Sequence, residues 1–528
     1  MLFRSSGALN LTLNGNVSGT GDAVLAQSGS GTITILGNGT ITGDSDDGGS
    51  GNGISATTST GQVNITTGAG GFISGFAENG IDAQKTGGGS AGITIVTAAG
   101  IGNVSNQVDQ VGINANMSGG GSGTISMSVG GTIYSFSTGI LAQNNGTGDI
   151  SIITQPNMDI FTATGDGIDA FATGGGNVLV HLLDGAINSN TTGSGACPSS
   201  VALCLDPYGI HATAVGSGNV TVITDDEVHN IGPGAGIFTQ TQGGKNTVTV
   251  NNLVTNINGY GVHAEGSGSP TNLHNGDIVV NVGTFTDSGN VTHVGNITTT
   301  IGTGILAEHW GYSWYGQNVI VNLTGNGTSV HVTNAASGQG GIAAINSGDA
   351  WWNNQTNAEV YTGNNTLVDV AGAGNNFGIQ STQSNSWWGA FNTGNAEVHL
   401  GNSTTVNVGL AGGNNDVGIL AKVQDYYGDH QATVDLGNGS HINVGNASAS
   451  GSVGVKADGR TSGSDSDGNY VSITGGINNN LDIKGDGATG LLAITSGNGS
   501  VNVDVGGGGT ISITDTADRK STRLNSSH

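Results

Sequence analysis

The sequence predicts an all-β fold: a right-handed parallel β-helix, a solenoid of about 14–15 coils of ~27 residues with insertions. Three observations predict it. A glycine-led tetrapeptide recurs along nearly the whole chain. Short runs of alternating apolar and polar residues lie between its copies, and no segment there is long enough or rich enough in helix formers for a crossover helix. Composition agrees. Glycine supplies 100 of 528 residues, far above the usual ~7%, and only 5 are proline. The absence of a strict Gly-X-Y period excludes collagen, and the many Val, Ile and Leu residues exclude a disordered polymer. No run of about 18 apolar residues offers a membrane-spanning helix.

The chain enters on an alternating stretch, "LNLTLNGNVSG", and Ala23 opens "AVLA", a decayed copy of the repeat. The full pattern, G-[IVL]-x-[AST], has its glycine at 53, 80, 112, 139, 167, 209, 236, 261, 304, 341, 378, 418, 454 and 490, fourteen copies in all. The shortest intervals, near 27 residues, define the unit. In "GIHATAVGSGNVTVITDDEVHNIGPGA" three strands are predicted, "GIHATAV", "NVTVIT" and "EVHNIG", separated by Gly, Asn and Asp. Alternation turns Ile210 and Ala212 inward and His211 outward. One coil cannot bury its few apolar side chains alone, so coils stack and build columns of Ile, Val and Ala. The glycine ahead of each Ile is expected to take a corner conformation closed to residues with a Cβ. Asn326, Asn364, Asn402 and Asn438 each follow a Gly, at spacings of 38, 38 and 36, and are expected to stack as a hydrogen-bonded column. They also fit N-x-[ST], but turn chemistry accounts for them. At ~4.8 Å per coil, fourteen coils make a rod of roughly 65 Å.

Coil length divides the chain. Residues 1–300 carry mostly short coils, and 301–517 carry coils of about 36–40 residues with aromatic insertions. The last eleven residues, "DRKSTRLNSSH" (518–528), are a one-frame translation of a common short-read sequencing adapter. They are read as an artefact, with the natural chain expected to continue past Ala517. Net charge is −26, with 10 basic against 36 acidic residues. That balance argues against nucleic acid and anionic lipid, which both need Lys and Arg, and suits a self-repelling soluble surface. Cys197 and Cys204, in "GACPSSVALCLD", are expected to form a small loop disulfide in an oxidising compartment. The start, "MLFRSSGALNLTLNG", has no apolar stretch of the secretory type.

From Gly304 onward, extra residues enter just after the G-I-x-A strand, in "EHWGYSWYGQ", "INSGDAWWNNQTN", "TQSNSWWGAFNTGN" and "KVQDYYGDHQ". Counted from each coil's glycine, Trp314 falls at +10, Trp351 and Trp352 at +10 and +11, Trp387 and Trp388 at +9 and +10, and Tyr426 and Tyr427 at +8 and +9. With Trp310, these eight aromatics are predicted to form a ladder down one edge of the rod. Two readings stand side by side: mutual packing, over outward Leu306 and Leu420, and a ligand-binding edge suited to sugar faces or a protein partner.

No G-x-S-x-G elbow, P-loop or dinucleotide fingerprint sits in a strand–turn–helix setting, so no catalytic residue and no cofactor is expected. His211 and His263 share an outward position with Phe238 between them, read as a surface stack rather than a metal site. Asp465, Asp467 and Asn469 faintly resemble a calcium loop but lack its sixth-position Gly and twelfth-position Glu. Polysaccharide hydrolysis needs paired carboxylates, and lyases need a cation or a basic residue near the sugar acid. Asp425, Asp429 and His430 are the best such candidates, and a solvated loop accounts for them equally well.

The array "GIHATAVGSGNVTVIT…GAGIFTQTQGGKNTVTVNN" resembles the passenger domains of Gram-negative autotransporters (type V secretion) over nearly all of 10–517. That resemblance implies export, display or release at the outer membrane through a C-terminal β-barrel translocator, and an adhesin-like role. The partners it implies are glycans or host, matrix or neighbouring-cell surface proteins, with no nucleic acid. The alternatives are a β-helical polysaccharide-active enzyme and a purely structural spacer.

Overall fold

The computed structural model describes residues 1–43, 51–74, 78–189, 207–268, 276–287, 289–313, 316–350, 356–384, 394–424, 430–460, 469–496 and 498–514. Among them there is no helix. The chain winds through three parallel sheets of sixteen strands each, visited in turn, which makes a right-handed parallel β-helix of sixteen coils. Two coils precede the first intact G-I-x-A. The strand Leu2–Ser5 pairs with Val24–Ser28, so "AVLA" is a true rung and one more lies before it. At ~4.8 Å per coil the rod is on the order of 75 Å long.

The tetrapeptide forms the first sheet, and its register holds every copy in line. Ile81 pairs with Ile54 and Ile113, and Ala83 with Ala56 and Ala115. The same columns run on through Ile168, Ile210 and Ile237. All of these are fully buried. Each isoleucine contributes on the order of 1.5–3 kcal/mol by leaving water. As alternation requires, Ile210 and Ala212 face inward and His211 outward.

The repeat glycines are needed for a reason other than the one expected. None has a positive φ. A Cβ on Gly112 would instead lie 2.5 Å from the carbonyl oxygen of Gly139 in the next coil, and closer still to Ile133 Cγ2 of the third sheet. Gly378 meets the same obstruction from Gly418 O and Val406. The constraint is space at the corner between the third and first sheets, where one glycine backbone rests on the next.

The predicted asparagine column forms from Asn364 to Asn438, while Asn326 pairs with Asn365 instead of Asn364. Asn364 Oδ1 accepts from Asn402 N at 2.9 Å, and Asn402 Oδ1 accepts from Asn438 Nδ2 at 3.0 Å. Asn438 Oδ1 accepts from Ile477 N at 2.9 Å, and Asn326 Oδ1 accepts from Asn365 Nδ2 at 2.7 Å. A second ladder, which the repeat pattern does not announce, joins Asp277, Asn318, Asn357 and Asn395 at the turn from first to second sheet.

In several coils the residue five beyond the repeat glycine points inward at that same turn and ties down its backbone, whereas Met117, Ala172, Ala214 and Val423 fill the place with apolar side chains. Asn144 Nδ2 donates to Gly123 O and Gly148 O at 3.0 and 2.8 Å, while its Oδ1 accepts from Gly146 N. Lys85, fully buried, donates to Gly87 O. Asn346 Nδ2 donates to Gln317 O at 2.8 Å.

Insertions enter at different corners. In the later coils they prolong the first-sheet strand, as in Ile305–Ser313 and Gly340–Ala350. In the tenth coil an antiparallel hairpin, Thr284–Thr286 with Thr292–Val294, leaves between second and third sheets. The three sheets run without a break through residue 300.

Candidate ligand-binding face

The outward residues of the first sheet form two parallel columns. The one set by the third letter of the tetrapeptide reads Ser55, Asp82, Asn114, Leu141, Asp169, His211, Phe238, His263, Leu306 and Ala343 down successive coils. Its chemistry changes from acid to ring to aliphatic along the rod.

At the acidic end lies a cleft of about 770 Å³ spanning the third to seventh coils. Glu78, Asp82, Asp109, Asp166 and Asp169 line it, together with amide side chains and the half-exposed ring of Phe136. Among the described residues no Lys or Arg lines it. Asp82 Oδ1 accepts from Gln84 Nε2 at 2.6 Å and Asn114 Nδ2 at 2.9 Å, yet burial still pushes its carboxyl above the ordinary range. Glu78 accepts from Gln110 at 2.8 Å.

The deepest carboxyls belong to the seventh coil. Asp166 stands at the corner before the repeat glycine, and Asp169 is the first outward residue after it. Burial raises Asp166 well above its usual value, the Asp169 charge adds to the rise, and a hydrogen bond from Tyr208 N (2.7 Å) partly offsets it. Burial pushes Asp169 up to about 7. His211 faces Asp169 across the rung, with Nδ1 3.3 Å from Oδ1. Burial lowers that imidazole to about 4, so at neutral pH this contact is not an ion pair.

The ring stack follows. His211 packs between Phe171, Tyr208 and Phe238 at centroid distances of 5.3, 4.9 and 5.3 Å, and Phe238 meets His263 at 5.1 Å. Tyr260 adds a further ring at 4.9 Å from His263. The expected His–Phe–His stack is therefore present, and it is wider than the repeat alone shows. His263 also contacts Glu308 at 2.8 Å, and Gln240 donates to Glu265 at 2.8 Å. Beyond the rings, Leu306, Ala343 and Phe377 form a separate buried apolar cluster against Tyr260 and Ile345, on the outside of the sheet.

Of the eight aromatics expected at the ladder, Trp310 is described. It is outward, 52% exposed, and in register with Ser267 and Ser347. Trp314, Trp351, Trp352, Trp387, Trp388, Tyr426 and Tyr427 lie outside the described residues. So do Cys197, Cys204, Asp425, Asp429, Asp465, Asp467 and residues 518–528. The paired strands of the eleventh and twelfth coils stay in register to Ser313 and Ala350, one residue short of Trp314 and Trp351.

One sequence expectation needs correction. His430 is no solvated loop residue: it is buried, its N donates to Asn469 Oδ1 at 3.0 Å, and burial lowers its imidazole to about 4. Asn469 caps a turn, its Nδ2 donating to Gly459 O at 2.9 Å. Asp82, Asp166 and Asp169, which sequence reasoning did not single out, line one cleft. The signal was present. "GIDA" occurs at both 80 and 167, and "GIHA" at 209 sets a His beside the second Asp.

Compared with protein families, curated proteins and solved structures, the chain matches none. What fold and site define is a class: a parallel β-helix with an acidic cleft on one face and a stack of rings beside it.

Proposed function

We propose that this chain is an adhesin-like, glycan-binding rod, the passenger part of a secreted or surface-displayed protein of the autotransporter type. One observation carries the binding half: the outer face of the first sheet holds a carboxylate- and amide-lined cleft with Phe136 in it, continued by rings and then by half-exposed Trp310. An elongated groove with hydrogen-bonding walls and ring faces suits an extended sugar chain. The charge selects among glycans. With five carboxylic acids and no Lys or Arg among the described residues lining the cleft, a polyuronate would be repelled, so a neutral or amino-bearing polysaccharide fits. The display half rests on the repeat resemblance and on a surface rich in acid and poor in base.

Binding to neutral, amino-bearing and uronate glycan panels tests the first half, with Phe136→Ala and Trp310→Ala as variants. Retention of neutral or amino glycans, weakened about tenfold or more in Phe136→Ala, supports the reading. No glycan binding would leave a spacer, and release of reducing ends would make the cleft an active site. Sequencing source DNA past codon 517 tests the second half. A run of alternating, aromatic-flanked strands supports display, whereas a soluble module overturns it.

A further inference from the structure

We propose that Asp166, Asp169 and His211 form a binding site for one divalent transition-metal ion, with zinc the best match. This inference is independent of the glycan reading.

One donor atom from each of the three lies within 4.8 Å of the other two. The site is preformed. Asp169 and His211 are direct register partners on adjacent coils, and Asp166 is fixed by the hydrogen bond from Tyr208 N. Asp169 is only 7% exposed, and its Oδ1 has no hydrogen-bond partner. Its neighbour at 3.3 Å is His211 Nδ1, and the pair lacks hydrogen-bond geometry. A buried carboxylate oxygen left unmatched beside a ring nitrogen is costly unless something positive sits between them. Among the described residues, the Lys and Arg ion pairs are all with Asp458 or Asp482, far along the chain.

The imidazole is held as a metal-bound imidazole is. Three aromatic rings fix its plane, and Nε2 lies 3.2 Å from Thr213 Oγ1. With Nε2–H donating to that hydroxyl, the Nδ1 lone pair is free on the Asp169 side. Donor atoms about 2.0–2.1 Å from a tetrahedral zinc stand roughly 3.3 Å apart, which is the Asp169–His211 separation. Two carboxylates and one imidazole favour zinc or manganese over calcium, which takes 6–8 oxygen ligands. Asp166 and Asp169 line the cleft, so a metal held by them and His211 would keep its fourth position open on that side to water or a sugar hydroxyl.

The histidine–glutamate group of the tenth and eleventh coils is the natural control. Its residues also come within reach of one ion, but Glu308 contacts His263 and Glu265 accepts from Gln240. The test is calorimetric titration of the chelator-stripped full chain with ZnCl₂, on wild type, Asp169→Asn, His211→Gln and Glu308→Gln. Circular dichroism confirms the fold of each, and Asp169→Asn is isosteric. One saturable site is expected, weakened at least tenfold in Asp169→Asn and His211→Gln and unchanged in Glu308→Gln. Bound Co²⁺ should show a visible ligand-field band that disappears in the same two variants. Absence of saturable binding, or a site that responds only to Glu308→Gln, overturns the proposal.

Discussion

The third to eighth coils and the eleventh to fourteenth share one interior and differ in what they build outside it. In both, isoleucine stacks on isoleucine or valine, and a glycine at the corner rests on the glycine of the next coil. In the early coils the first-sheet strand ends at the inward residue five past the glycine, a backbone cap where that residue is Asn144, and the outer face becomes an acidic cleft. In the later coils the strand runs on past that residue, and the outer face turns apolar around Leu306 and Phe377. The interior tolerates one solution per rung because each side chain there touches the coil above and the coil below. The outside answers only to solvent and ligand, so it is free to diverge.

If the corner is a shared steric constraint, Gly112→Ala and Gly378→Ala should each destabilise their own region by about 3 kcal/mol or more. Gly327, with φ +81 and open space around it, should cost only about 1 kcal/mol on the same change. Urea unfolding with amide exchange reads all three. Equal small losses would dissolve the common rule.

Acid should separate the two regions. In the early coils the raised carboxyls of Asp166 and Asp169 add stability as pH falls and offset the loss at His211, whose imidazole is lowered like that of His309. His309 is buried among the later coils, and burial lowers its imidazole to about 4 despite the contact of Nδ1 with Asn346 Oδ1. Above about pH 6.5 the ring is neutral whether folded or unfolded. As pH falls from 6.5 toward 4, only the unfolded chain takes the proton, so stability drops, by up to about 3 kcal/mol. Below 4 the loss levels off. Exchange rates near His309 should rise over that window, and His309→Leu should flatten the response.

Next in size are the turn caps. Asn144→Ala strips partners from Gly123 O, Gly148 O and Gly146 N, and should cost about 2 kcal/mol. Asn346→Ala should cost about the same in the longer coils, where the cap is followed by more strand rather than by a turn. A much smaller loss there would show that the extended strand supports itself. The exposed column is worth less: Asn402→Ala should cost about 0.5–1 kcal/mol. Trp310→Ala should change stability by under about 0.5 kcal/mol, the side chain being half exposed, and should be seen in glycan binding instead.

Much of this was legible beforehand. The columns Ile54–Ile81–Ile113 and Asn364–Asn402–Asn438 could be drawn from spacing, as could the outward place of His211. The steric role of the glycines could not, because a corner's crowding comes from Ile133 and from the next coil's carbonyl, not from the residues beside Gly112. Nor could the capping role of Lys85 and Asn144, two unlike residues that share only a position.

By itself the sequence determined the solenoid, its rung count to within two coils, and the inward or outward sense of most strand residues. In a nearest-neighbour stack, sequence period and spatial register are the same quantity. The aligned "GIDA" and "GIHA" even place Asp169 beside His211. Only the tertiary structure decided that Asp166 turns in from the corner to join them, that rings close over the imidazole, and that Asp169 is left without a hydrogen-bond partner. Parity says which way a side chain leaves the sheet. Burial of an outward side chain depends on turns and neighbours that no period encodes.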